Sequence, residues 1–282
     1  MDSIERALQK ARKVGVSESS RTGPATTSMR TAVRQRVPLQ SPAEERSLPR
    51  FEYRETQIQP KSPMAFQKNR LVAGRHMESL ADTFRVLRAQ VIRGLAAVSS
   101  NTLAICSANA GEGKTLTACN LAISLAMESN FTVLLVDLDL RRPRVHEYFG
   151  VSVQKGLCDY LEGNAEIPQC LINPGLERLV LLPIRRSVLN SSELLSSVRM
   201  SDLLKELGTR YEKRIVIYDL PPLLPSDDSL VILPRIDASL LVIQEGKTEA
   251  GAIQRSISFL RDHKFIGTVL NNSEDAVIYP YY

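Results

Sequence analysis

The apolar run Leu103-Ala-Ile-Cys-Ser107 ends in a stretch of small residues, Ala108-Asn-Ala-Gly-Glu-Gly113, and Lys114-Thr115 then opens the apolar segment Leu116 to Met127. Strand, tight loop and helix in that order constrain this chain more than any other feature. Gly111 and Gly113 allow the backbone to turn so that its N–H groups point into the loop. The helix that follows adds the positive end of its dipole, so the segment reads as a phosphate cradle. Lys114 is placed to reach β/γ-phosphates and the Thr115 hydroxyl to ligate Mg²⁺, which makes ATP-Mg the expected occupant. Ala110, Gly111, Glu112, Gly113, Lys114, Thr115 and Leu116 are its expected contacts. The general pattern Gly-x-x-x-x-Gly-Lys-Ser/Thr asks for Gly where this chain has Ala108.

Two further apolar runs end in acid. Val133-Leu-Leu-Val leads into Asp137-Leu-Asp139, followed by Arg141-Arg142-Pro143, and Ile215-Val-Ile-Tyr leads into Asp219-Leu-Pro-Pro222. Residues two apart on an extended chain share a side, so Asp137 and Asp139 point the same way. Carboxylates at the carboxyl end of a central parallel strand stand where ligands bind in such sheets. Asp219 occupies the position expected to hold a Mg²⁺-bound water. Packing alone does not account for three strand ends carrying Lys-Thr, Asp-x-Asp and Asp-x-Pro-Pro.

The rest of the chain supplies the frame. Strands are expected at Thr102–Ser107, Thr132–Val136, Leu179–Pro183, Arg214–Tyr218, Ala238–Gln244 and Ile266–Leu270. Helices are expected over 114–129, 155–162, 191–211, 227–233 and 248–263, and upstream over Met77–Gly94. Near-continuous apolar strands alternating with helices predict an α/β fold, a mostly parallel central sheet with helices on both faces. Residues 1–16 read as an amphipathic helix, 17–63 as a flexible basic linker, 64–273 as the folded domain and 274–282 as a tail. Residues 1–75 hold 15 Lys/Arg against seven acids, a local +8; with +5 for the whole chain, the remaining 207 residues carry −3. The basic character therefore sits in the N-terminal arm, which suits an acidic partner or anionic surface. Cys106, Cys119, Cys158 and Cys170 lack metal-ligand spacing, and no uninterrupted apolar run approaches the ~18 residues of a membrane span.

On these residues the chain resembles the bacterial tyrosine autokinases of exopolysaccharide biosynthesis (the BY-kinases), relatives of the MinD/ParA ATPases. Ser107–Thr115 matches their Walker A motif, Val136–Pro143 their Walker A′ and Ile217–Pro222 their Walker B, and the general layout is similar over 70–282. The resemblance implies a P-loop NTPase fold of the MinD/ParA type and catalysis by Lys114, Asp137, Asp139 and Asp219. It implies Mg²⁺ held by Thr115, Asp137 and Asp219. Asp137 or Asp139 would receive the tyrosine proton, and both matter in the family. Arg141 and Arg142 either stabilise transferring charge, contact the substrate tail, or are structural. Asn271, or equally Asn272, stands where the related ATPases place an adenine-reading residue.

The family also implies that Tyr279, Tyr281 and Tyr282 are phosphoacceptors. Its upstream Glu-x-x-Arg-x-x-Arg motif for self-association is represented by Asp82, Arg85 and Arg88, with Asp in place of Glu. MinD/ParA ATPases carry a signature Lys where this chain has Asn109, which favours the kinase branch. The implied partner is a membrane polysaccharide co-polymerase, the chain-length adaptor, and no nucleic acid is expected. The expected location is cytoplasmic, held peripherally at the inner membrane through that partner. The alternatives are a non-catalytic ATP-binding switch of the export complex and a MinD/ParA-like ATPase.

Overall fold

The computed structural model describes residues 56–72, 79–210 and 213–273. The expected N-terminal helix, most of the basic linker and the tyrosine tail lie outside the described residues. Eight strands form one sheet: β1 (Gln57–Ile58), β2 (Thr102–Ser107), β3 (Thr132–Asp137), β4 (Ile172–Asn173), β5 (Leu179–Leu182), β6 (Arg214–Asp219), β7 (Ala238–Gln244) and β8 (Lys264–Asn271). Their spatial order is β1-β4-β5-β3-β6-β2-β7-β8. All neighbours pair in parallel except β4 with β5. The mostly parallel sheet expected from the sequence is therefore present.

Strand alternation explains the two cores. Ala104, Cys106, Leu134, Val136, Val216 and Tyr218 face one layer, with Leu203, Leu204 and Leu207 packed on it. Leu103, Ile105, Val133, Leu135, Ile215 and Ile217 face the other, with Val91, Leu95, Leu121 and Leu125. Every residue of β2 and β3 is buried, so each fully covered aliphatic side chain contributes about 1.5–3 kcal/mol of transfer free energy. Only a sheet covered on both faces makes such unbroken apolar runs favourable.

The helices are α1 (Pro63–Lys68), α2 (Ser79–Ala97), α3 (Lys114–Ala126), α4 (Val145–Phe149), α5 (Leu157–Leu161), α6 (Ile167–Cys170), α7 (Ser191–Ser196), α8 (Val198–Thr209), α9 (Asp228–Ile232) and α10 (Ala250–Leu260). The single helix expected over 191–211 is in fact two. Ser197 is extended, with ψ 155°, and its hydroxyl accepts the Met200 N–H, ending α7 and starting α8. Gln57–Ile58, assigned above to the linker, is an edge strand beside β4. A two-residue strand is too short to show alternation. Helix α1 was likewise not expected; Ser62 caps it, accepting the Ala65 N–H, and Pro63 stands in its first turn.

Candidate active site

Because β6 lies between β3 and β2, the carboxyl ends of these three strands meet. Asp137 and Asp219 are register partners across β3 and β6, and Ile105 pairs with Asp219 across β2 and β6. The phosphate loop leaves the end of β2 and runs into α3. Its first residues are stitched to the segment after Asp219: the Leu223 N–H donates to Ser107 O (2.9 Å) and the Leu224 N–H to Ala108 O (3.1 Å). Ala108 is buried and does not adopt a positive φ. The loop therefore tolerates a methyl group where the general pattern has glycine.

Gly111 and Gly113 do adopt left-handed backbones, with φ 80° and 89°. Gly113 is also tightly approached: a Cβ there would lie 1.9 Å from Asn271 Nδ2. Asn271, at the end of β8, donates that amide to Glu112 O (3.0 Å). The structure thus places Asn271 against the loop backbone, while Asn272 beside it is exposed with φ 57°.

Glu112, expected above as a nucleotide contact, also braces the loop through its side chain. Its carboxylate is buried and accepts the Asn109 N–H (3.0 Å), Asn109 Nδ2 (3.1 Å) and the Thr248 hydroxyl (2.9 Å). Lys247 Nζ donates to Gly111 O at 3.3 Å. The turn after β7 therefore holds the loop from outside. Thr248 lies far from the loop in sequence, so no local spacing signals it.

At the loop's end Lys114 Nζ is 2.9 Å from Asp219 Oδ1 and 3.6 Å from Asp139 Oδ2. The Thr115 hydroxyl donates to Asp219 Oδ2 at 2.7 Å. Burial alone would lower the Lys114 pKa, but Asp219 and then Asp139 outweigh it and hold it above its usual value. Asp137 is wholly buried, and its oxygens accept the N–H groups of Asp139, Arg144 and Val145 at 3.1 Å each. Burial, and then the charge of Asp219, push its carboxyl up to about 8. Asp139 is 9% exposed. It accepts the Arg142 N–H at 3.0 Å, and its pKa is raised, first by burial.

Asp137, Asp139, Asp219 and the Thr115 hydroxyl gather oxygen donors around a single ammonium. That donor set fits Mg²⁺, which is held by one or two carboxylates together with substrate phosphates rather than by an all-protein cage. Among the described residues no group of three His, Cys, Asp or Glu side chains is arranged to hold a metal alone.

Arg141 turns away from this cluster. Its Nε donates to Asp228 (2.9 Å) and to the Ser191 hydroxyl (2.8 Å), a structural tie to the buried Asp228. On α2, Asp82 pairs with Arg85 within the helix. Arg88 donates to Ser124 O (2.9 Å) and pairs with Glu128 (2.8 Å), so it also docks α2 on α3. Tyr279, Tyr281 and Tyr282 lie outside the described residues.

The AAA domain family model matches residues 100–260. The tyrosine-protein kinase YwqD of Bacillus subtilis is 32% identical over 222 residues, 75% of this chain and 92% of that protein. Two other tyrosine-protein kinases are matched over only 28% and 26% of their length, so this chain spans about a quarter of those longer proteins. Among solved structures, the kinase domain of the Escherichia coli tyrosine kinase ETK superposes with a TM-score of 0.63 at 30% identity, over 76% of this chain and 88% of that one. The septum site-determining protein MinD of Pyrococcus horikoshii, at 21% identity, shares the fold with a TM-score of 0.51, over 62% of this chain and 72% of that one. The chain belongs to the bacterial tyrosine-protein kinase family, built on the AAA-domain P-loop fold.

Proposed function

We propose that this chain is an ATP-dependent protein tyrosine kinase that phosphorylates its own Tyr279, Tyr281 and Tyr282 and thereby regulates exopolysaccharide polymerisation and export. The observation that carries the reading is the convergence of Lys114, Thr115, Asp139 and Asp219 at adjacent strand ends, in a chain of the tyrosine-kinase family. Phosphoryl transfer needs little covalent help from a protein, only positioning and charge stabilisation, and this cluster supplies both.

Lys114 balances charge on the γ-phosphate, its own charge secured by Asp219 and Asp139. Residues 110–116 wrap the phosphates, with Gly111 and Gly113 giving the N–H groups their direction. Thr115, with Asp137 and Asp219 acting through water, would hold Mg²⁺, which would supply charge neutralisation for the phosphates. Asp139 is the better placed of the two carboxylates to take the tyrosine proton. It reaches the surface, whereas all of Asp137 is buried and occupied by backbone donors. A carboxylate whose pKa is raised by burial is a stronger base at neutral pH.

Among the described residues no helix is long and apolar enough to cross a membrane. A separate membrane co-polymerase is the proposed partner that brings the chain to the inner membrane. Self-association through the Asp82–Arg85–Arg88 face is the proposed way a tail reaches a neighbour's site. The absence of the signature Lys, with Asn109 folded onto Glu112 instead, supports the kinase over a MinD/ParA-like ATPase.

The test is incubation of the full chain with ATP-Mg, with and without its membrane partner, followed by phosphotyrosine mass spectrometry. Phosphate on the terminal tyrosines is the expected result. Nucleotide binding with no phosphotyrosine under either condition would mean an ATP-loaded switch instead.

A further inference from the structure

Lys68 ends helix α1, Asn69 and Arg70 follow it, and with Arg144, Glu147 and Tyr148 they line an open cavity of about 370 Å³. Three cations against one carboxylate leave this cavity at +2. The Arg144–Glu147 pair uses Nε, at 3.1 Å, and the Arg144 guanidinium lies 5.6 Å from the centre of the Tyr148 ring. A cavity lined by cations beside an aromatic face suits a phosphate monoester on an aryl group, whose charge at neutral pH is about −1.5 to −2.

Two observations separate this cavity from an ordinary charged surface. Arg70 has φ 61°. It stands just beyond the C-terminus of α1, with its N–H on Gln67 O and the Leu71 N–H on Phe66 O, both at 2.9 Å. That is the position where helices favour glycine, yet the chain keeps a guanidinium there. The walls are also fixed to each other: Asn69 Nδ2 donates to Glu147 O (3.0 Å) and Tyr148 O (2.9 Å). The cavity is thus held open by hydrogen bonds in the free chain.

We infer that this cavity binds a phosphotyrosyl side chain of the phosphorylated C-terminal tail, with Lys68, Arg70 and Arg144 on the phosphate and the Tyr148 ring against the aryl group. The inference rests on the tyrosine-kinase reading for the origin of its ligand. The cavity lies outside the nucleotide loop and touches the reaction centre only through the backbone, where the Arg144 N–H donates to Asp137 Oδ2.

The test measures fluorescence anisotropy of labelled peptides of residues 274–282 on the purified, dephosphorylated full chain without ATP. A chain with no kinase activity still answers it. Three peptides each carry phosphate on one of Tyr279, Tyr281 and Tyr282, and a fourth is unmodified. At least one phosphopeptide is expected to bind about tenfold or more tighter than the unmodified one, weakening as salt is raised. Saturating ADP-Mg should leave that binding intact; its loss would move the peptide to the nucleotide loop and overturn the proposal. Inorganic phosphate should compete only at far higher concentration than phosphotyrosine, and equal competition would make this a free-phosphate site.

The decisive variant is Arg70→Gly, which relieves the left-handed backbone while removing the guanidinium. It should raise the melting temperature and weaken phosphopeptide binding about tenfold. Lys68→Gln, in a side chain facing solvent, should weaken binding without changing stability. Unchanged binding in both variants, or equal affinity for modified and unmodified peptides, would overturn the assignment.

Discussion

Asp137 and Asp219 stand side by side as register partners at the ends of adjacent parallel strands, both wholly buried. Two carboxylates in that position cannot both carry full charge without a cation close by. Burial and then Asp219 push the Asp137 carboxyl up to about 8. Between the unfolded value near 4 and about 8, the native chain holds a proton that the unfolded chain releases. Stability of the metal-free chain therefore falls as pH rises through that window and levels off above it. The slope from one such proton is at most about 1.4 kcal/mol per pH unit. Urea unfolding in chelator from pH 5 to 9 should show this decline. Asp137→Asn should flatten it and gain on wild type most at the high end; an unchanged slope would place the proton elsewhere.

Lys114 is the ammonium that these acids share. Lys114→Met should abolish nucleotide binding, because the β/γ-phosphates lose their cation. It also leaves Asp219 and Asp139 buried without their cation, with only the Thr115 hydroxyl and the Arg142 N–H still donating to them. Breaking a buried pair from one side costs about 3–5 kcal/mol. Asp139, its pKa already raised by burial, relaxes by taking up a proton, so the loss in melting temperature should be smaller at pH 5 than at pH 8. Calorimetry at the two pH values, with titration of a fluorescent ATP analogue, checks both parts. Retained nucleotide binding would overturn the role given to the loop.

These two predictions depend on unequal kinds of legibility. The loop could be read from the chain because its chemistry is local: Gly111, Gly113, Lys114 and Thr115 must follow a strand and open a helix, and they do. The buried strands were legible because Val133 to Asp137 and Ile215 to Asp219 are apolar without interruption. Their order was not legible. That β6 sits between β2 and β3, bringing Asp219 beside Asp137, is a matter of how distant segments pack. The break at Ser197 was hidden for another reason: apolar residues continue at helical spacing across it, and only the extended backbone of one residue divides α7 from α8. The Glu112–Thr248 contact joins segments far apart in sequence. Strands β1 and β4, two residues each, are too short to show a period.

Gly113 combines a left-handed φ of 89° with close approach by Asn271. Gly113→Ala should therefore cost about 1.5–3.5 kcal/mol: about 1–2 for the left-handed backbone and about 0.5–1.5 for the Asn271–Glu112 hydrogen bond that the new methyl displaces. Adding Asn271→Ala removes the collision but not the backbone strain, so the double variant should be more stable than the two losses added together. Thermal denaturation of the four chains gives the coupling. Strict additivity would show that Asn271 does not press on the loop.

Glu112 offers the sharpest test of the brace, because one carboxylate takes three donors. In Glu112→Gln a single carbonyl oxygen must serve Asn109 and Thr248 while the new NH₂ meets the Asn109 donors. A buried donor left without an acceptor costs about 1–3 kcal/mol. Thr248→Val leaves the carboxylate its two contacts with Asn109 but removes the hydroxyl that donates to Glu112 and accepts the Gln244 N–H, so about 1–3 kcal/mol is expected there too. Both changes loosen a loop that must present its N–H groups in fixed directions. The ATP dissociation constant should rise by about tenfold for Glu112→Gln and less for Thr248→Val, which keeps Asn109 bonded to Glu112 inside the loop. Titration with ATP-Mg alongside urea unfolding compares the two scales. Thr248→Val weakening nucleotide binding as much as Glu112→Gln would show that the turn after β7 contacts the nucleotide itself rather than supporting the loop.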